Sequence, residues 1–267
     1  MNRSQHSIIL AVTRAELRKF RRPSFLLTTY GAITALAMVI VAFAWMHAHS
    51  AAEAGQTQTM NLITGYQMSL FFLGVLCLCI AANHCAQEYS YGTLRVVLVR
   101  ANSKSAFLVG KAISLVLYIF LLNAYTFLLS TVVSLFFSER YHMRLTAALP
   151  HQHFLKYALT GIEYLLCGFV GTCALGIFGS TLGLIVKSPA LAISLGLLWS
   201  LIIESALGSA LARVNPWLPC VNFESLATRA SGVSALSYQH TWMMSTFYMT
   251  GFMVLAWVLF RRRDVSQ

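Results

Sequence analysis

Two carboxylates, Glu163 and Glu204, stand inside apolar stretches of this 267-residue chain. An ionised group is expensive in hydrocarbon, so both are candidates for chemistry. Laid across a bilayer they reach similar depth. They could line a path for a polar cargo or carry protons; the structural alternative is a carboxyl protonated or satisfied inside a helix bundle. Asn123, in another apolar run, joins them as a pathway candidate, although its residue type suits helix–helix hydrogen bonding better. Histidines form a second set. The pairs His47-x-His49 and His151-x-His153 would each place two imidazoles on one side of an extended segment, with Met46 and Met143 as soft donors nearby. No carboxylate–histidine spacing accompanies them, so these four are metal candidates by residue type only, and no metal site is assigned.

Composition says what must position these groups. The chain is 58% hydrophobic and 10% charged, where a soluble domain carries about 25% charged residues. So much apolar surface needs lipid as its solvent. Six runs have the roughly 20 residues that a spanning helix requires: 24–46, 60–86, 105–138, 157–186, 190–212 and 239–260. The expected fold is therefore an all-α polytopic membrane domain. Lys187-Ser188-Pro189 separates the fourth and fifth runs, with proline starting the new helix. The first run is too long for a signal-peptide core and reads as a retained span. Five of the six cysteines fall in or at the end of apolar runs and read as small fillers; Cys220 falls in a polar connection.

The formal charge of +11 follows topology and does not mark a nucleic-acid partner. Fourteen Lys and Arg residues fall on one side of the six-span layout and five on the other. The excess of positive charge places both termini in the cytoplasm, with the chain in the cytoplasmic membrane. Residues 7–22 read as an amphipathic helix on the inner headgroup layer. Ile8, Ile9, Val12, Ala15 and Leu17 form its apolar side, and Arg14, Arg18, Lys19 and Arg21 its basic side.

Between the second and third runs lies the one long polar and basic segment, 88–104. After Glu88 come Gly92 and Thr93, and Thr93 can cap a short helix whose Leu94, Val97 and Leu98 share one face while Arg95 points elsewhere. Asn102-Ser103 can cap the next helix, which carries Lys104 and Lys111. An apolar face in water is explained if another protein covers it.

Glu88, Gly92-Thr93, Leu94, Ser103-Lys104 and Gly110-Lys111 together resemble the pattern of the type-2 family of ABC transporter permeases, the exporter class. The basic N-terminal helix with Glu16 and Lys19, the six spans, the long final outer loop and the basic tail extend the resemblance. The family often has proline where this chain has Ala101.

The resemblance implies a coupling helix, with Glu88, Gly92, Thr93, Leu94, Arg95, Val97 and Leu98 meeting a cytoplasmic ABC ATPase present in two copies. It also implies a second permease chain, identical or related, and short re-entrant helices over 214–238 that gate the exit. No phosphate loop of the form G-x-x-x-x-G-K-[ST] occurs in the chain. The chain is then a transport subunit and not an enzyme, and ATP and Mg would be bound by the partner ATPase. Two alternatives stand beside the exporter: a proton-coupled secondary transporter using Glu163 and Glu204, and a non-transporting membrane anchor or sensor.

Overall fold

The computed structural model describes residues 3–53, 64–92, 104–140, 154–228 and 237–262. All regular structure among these residues is helical, with no strand. Helix α1 spans Arg3–Phe20, α2 Pro23–Glu53, α3 Thr64–Ser90, α4 Lys104–Arg140 and α5 Phe154–Val186. Next come α6, Pro189–Leu197, a π-helical turn at Leu198–Ile203 and α7, Glu204–Ala210. A 3₁₀ turn at Asn215–Trp217 leads into α8, Pro219–Thr228, and α9, Tyr238–Arg262, follows. Six helical stretches are long and apolar enough to cross a membrane, the architecture of a multi-pass membrane protein.

Two departures from the expected spans bear on the site. The second run was expected to end at residue 86, but α3 continues to Ser90 and takes Glu88 into the helix. The fifth span is one apolar stretch whose α-helix is interrupted by the π turn. Where the sequence places the break between α5 and α6, Lys187 takes a left-handed φ of 61°. Its N–H donates to Gly183 O, and Pro189 opens α6.

Packing centres on α3 and α5. Hydrophobic driving force is weak between helices that could equally face lipid, so close approach depends on small residues. Helix α5 supplies them at Gly179 and Gly183. A Cβ at Gly179 would lie 2.3 Å from Leu78 O, and one at Gly183 would lie 2.5 Å from Ala82 O. Opposite them α3 carries Cys77, Ala81, Ala82, Cys85 and Ala86, all buried. The Gly-x-x-x-Gly spacing at 179–183 was readable in the sequence.

All six cysteines are free thiols. Cys220, expected in a polar connection, is instead buried within α8. The connection folds back as a helix and removes the thiol from water.

Cys85 near the end of α3, Phe107 at the start of α4, Leu184 at the end of α5 and Phe260 at the end of α9 form one buried cluster. Ile8 and Val12 of α1 pack on it. One end of the bundle thus gathers α1, both flanks of segment 93–103, the α5–α6 turn and the end of α9.

Candidate functional site

At that end α1 is docked by a polar seam as well as an apolar one. Val12 and Ile9 close over Gly110 of α4, where an added Cβ would meet Val12 at 2.9 Å, and Thr13 Oγ1 donates to Gly110 O at 3.2 Å. Phe20, the last residue of α1, stacks on Tyr118 of α4 with ring centroids 4.3 Å apart. The buried face of α1 is therefore Thr13, Glu16 and Phe20. Ala15, expected on the apolar side, is exposed.

Glu16 brings a carboxylate into the interface, and four more ionisable groups meet it. Lys19 Nζ donates to Glu16 Oε1 at 2.8 Å and to Glu88 Oε1 at 2.9 Å. Lys111 Nζ lies 2.9 Å from Glu88 Oε1, and His84 Nε2 lies 3.0 Å from Glu16 Oε2. Helical spacing assembles them: Glu16 and Lys19 are i,i+3 on α1, and His84 and Glu88 are i,i+4 on α3. Lys111 enters from α4, its ammonium 5.7 Å from the centroid of the Phe107 ring one turn earlier. Glu16, Glu88, Lys111 and His84 are all under a tenth exposed. With His84 uncharged, two lysines balance two carboxylates. A buried ionic set of this kind is tolerable only when the charges balance. This clasp ties α1 to the end of α3 and the start of α4.

Burial raises the Glu16 pKa, but the contacts with His84, Lys111 and Lys19 outweigh it and bring it from an ordinary 4.5 down to about 2. Burial lowers that of Lys19, and the two carboxylates more than restore it, leaving it above its ordinary value. A depressed carboxyl pKa favours folding where the group is ionised. The Glu16 contribution is therefore complete above pH 4.5 and is lost as the pH falls towards 2. Thermal midpoints measured from pH 7 downwards should fall more steeply below pH 4.5 for the native chain than for Glu16→Gln; parallel profiles would remove Glu16 from the linkage.

The protein-family model described as "Protein of unknown function (DUF2705)" matches residues 17–266. The chain belongs to the DUF2705 family. The match begins one residue after Glu16 and takes in Lys19, His84, Glu88 and Lys111. No curated protein gives a significant match.

In this DUF2705 chain the residues singled out from sequence fall into separate places. Glu88, expected to touch a partner, is 5% exposed and turned into the clasp. It was taken for a loop residue because the apolar run ends two residues before it, yet Lys19 and Lys111 satisfy its charge inside the chain. Gly92 follows the end of α3 with a φ of +64°, a left-handed cap conformation that glycine adopts without penalty. Its N–H donates to Tyr89 O. Thr93, Leu94, Arg95, Val97 and Leu98 lie outside the described residues.

Asn123 is fully buried between three helices. Its Nδ2 donates to Thr172 Oγ1 of α5 at 2.7 Å and to Ile119 O, and its Oδ1 accepts from Tyr66 OH of α3 at 3.2 Å. Every polar atom of the amide is engaged in holding helices together, as its residue type suggested.

Glu204 is a helix cap. Its Oε2 accepts from Val221 N at 3.1 Å, and its Oε1 accepts from Cys220 N at 3.2 Å and from Trp199 Nε1. Cys220 and Val221 are in the first turn of α8, whose N–H groups lack partners within the helix and favour an anion. The π turn aims the carboxylate. In a continuous α-helix Glu204 would sit about 80° around from buried Gly196; the wider turn, with Glu204 N–H donating to Trp199 O five residues back, swings it inward.

Glu163, half-buried on α5, lies within electrostatic range of Tyr238 of α9. Glu204 thus caps α8, while Glu163 lies beside α9. His47 and His49 lie within the helical α2 and not in an extended segment; His151 and His153 lie outside the described residues. No group of three or more His, Cys, Asp or Glu close enough to share a metal occurs among the described residues.

Sequence reading missed the clasp as a unit. Its signal was present: Glu16 and Glu88 are two of only eight acids in a chain of charge +11, and each has a basic residue at helical spacing, Lys19 for Glu16 and His84 for Glu88.

Proposed function

We propose that this chain is the membrane subunit of an ATP-driven exporter, moving a substrate across the cytoplasmic membrane by alternating access, with ATP and Mg bound on a separate ATPase. The observation that carries the reading is the clasp. Segment 93–103, with its apolar Leu94, Val97 and Leu98, joins α3 to α4 in the chain, and Glu88 of α3 is ion-paired to Lys111 of α4. Lys19 joins α1 to the same carboxylate. A push on that segment is therefore delivered to α1, α3 and α4 together, which is what a coupling lever needs. The resemblance of Glu88, Gly92-Thr93 and Gly110-Lys111 to the type-2 permease pattern supports the same reading. It places both termini and the clasp in the cytoplasm and gives the complex two ATPases and two permease chains.

The proton-coupled alternative asks Glu163 and Glu204 to carry protons. Glu204 is poorly suited to this, because both its oxygens accept N–H donors that protonation would disturb. That favours the exporter. Mild-detergent pull-down of the full chain is the test. A phosphate-loop ATPase should co-purify in stoichiometric amount, and Leu94→Asp with Leu98→Asp should release it while membrane insertion persists. Absence of an ATPase from the native complex, or its retention by the double variant, would count against a docking face there.

A further inference from the structure

We propose that the cleft between α1, α2 and α3 binds an anionic phospholipid, with the phosphate at its mouth and an acyl chain along its apolar wall. The cleft has a volume of about 550 Å³. Pro23 starts α2 beside it and Ser90 ends α3, so it sits where two spans leave the apolar layer, at headgroup depth. Its lining divides by chemistry. Lys19, Arg22, Ser24 and Gln87 contribute donors, while Phe25 and Ile80 contribute apolar surface.

The charge at the mouth is positive after internal pairing. Glu88 also faces the cleft, but Lys19 and Lys111 already neutralise it, and His84 faces Glu16. Arg22 is exposed, and no carboxylate among the described residues pairs with it. A soluble phosphate would satisfy Arg22 but leave Phe25 and Ile80 facing water. A zwitterionic lipid would cover the apolar wall but supply no net charge. An anionic phospholipid does both. Seated there, it would bridge α1–α2 to α3 beside the clasp. The proposal requires the membrane spans and does not depend on an ATPase partner.

Native mass spectrometry of the full chain, offered equal amounts of phosphatidylglycerol and phosphatidylcholine in mild detergent, tests it. The native chain should retain one phosphatidylglycerol in preference. Arg22→Gln should weaken that retention about fivefold, the worth of one cation near an anionic headgroup. Arg18→Gln, exposed on α1 and outside the cleft, should leave it unchanged. Equal retention by the native chain and Arg22→Gln overturns the proposal, as does phosphatidylcholine held equally well. Thermal unfolding of the native chain is the second measurement. Phosphatidylglycerol should raise the midpoint where inorganic phosphate at equal concentration does not; an equal rise with phosphate makes the cleft an anion site without lipid and overturns the proposal.

Discussion

Lys111→Met destabilises the folded chain by about 3–5 kcal/mol, the cost of leaving a buried carboxylate without its partner. Methionine keeps an unbranched apolar stem of similar length while removing the charge. Glu88, 5% exposed, would then share Lys19 with Glu16, leaving two carboxylates to one lysine. Adding Glu88→Gln restores the balance, because Lys19 and Glu16 remain a neutral pair. The double variant should therefore lose less than the sum of the singles, with a coupling of about 1–3 kcal/mol. Thermal unfolding in mild detergent across the four-member cycle measures this. Additive losses would mean that the 2.9 Å contact between Lys111 and Glu88 contributes nothing, and the clasp would no longer explain how α1, α3 and α4 are held together.

Glu204→Gln loosens α8. The carboxylate offers two oxygens to three N–H donors, whereas glutamine offers one oxygen and turns an amide NH₂ towards a donor. Leaving a buried donor unsatisfied costs about 1–3 kcal/mol. Loss of negative charge at the helix N-terminus adds to this. The reporter is built in. Cys220 is buried in the first turn of α8, and burial followed by the neighbouring Glu204 pushes its thiol above the ordinary range. Removing that charge and loosening the helix both favour the thiolate. In a chain whose only cysteine is Cys220, maleimide labelling should accelerate about tenfold or more on Glu204→Gln. An unchanged rate would show that α8 stays docked without its cap.

The six spans, the helical class and the break at Lys187–Pro189 were legible because lipid acts on composition: a run of apolar residues long enough to cross must be a helix, whatever it packs against. Asn123 was legible for a related reason, since an amide in hydrocarbon must find partners on neighbouring helices. The orientation of α1 was legible only in part. Ile8, Val12 and Leu17 of the expected apolar side do pack on the bundle, but Ala15 is exposed and the deepest burial falls on Thr13, Glu16 and Phe20, two of which are polar residues that apolar periodicity passes over.

Depth along the chain is a one-dimensional quantity, and it gave Glu163 and Glu204 the same standing as pathway candidates. Which way a carboxylate points depends on the turn beneath it, and the π turn at Leu198–Ile203 leaves no simple signature in residue spacing. The acids and bases of the clasp were all visible as residues, spread from position 16 to position 111. What the chain order determined by itself was the solvent each helix requires. Which charges meet was decided only when α1, α3 and α4 converged, because a buried ion pair is set by distance in space and balanced by neighbours that sequence separation does not reveal.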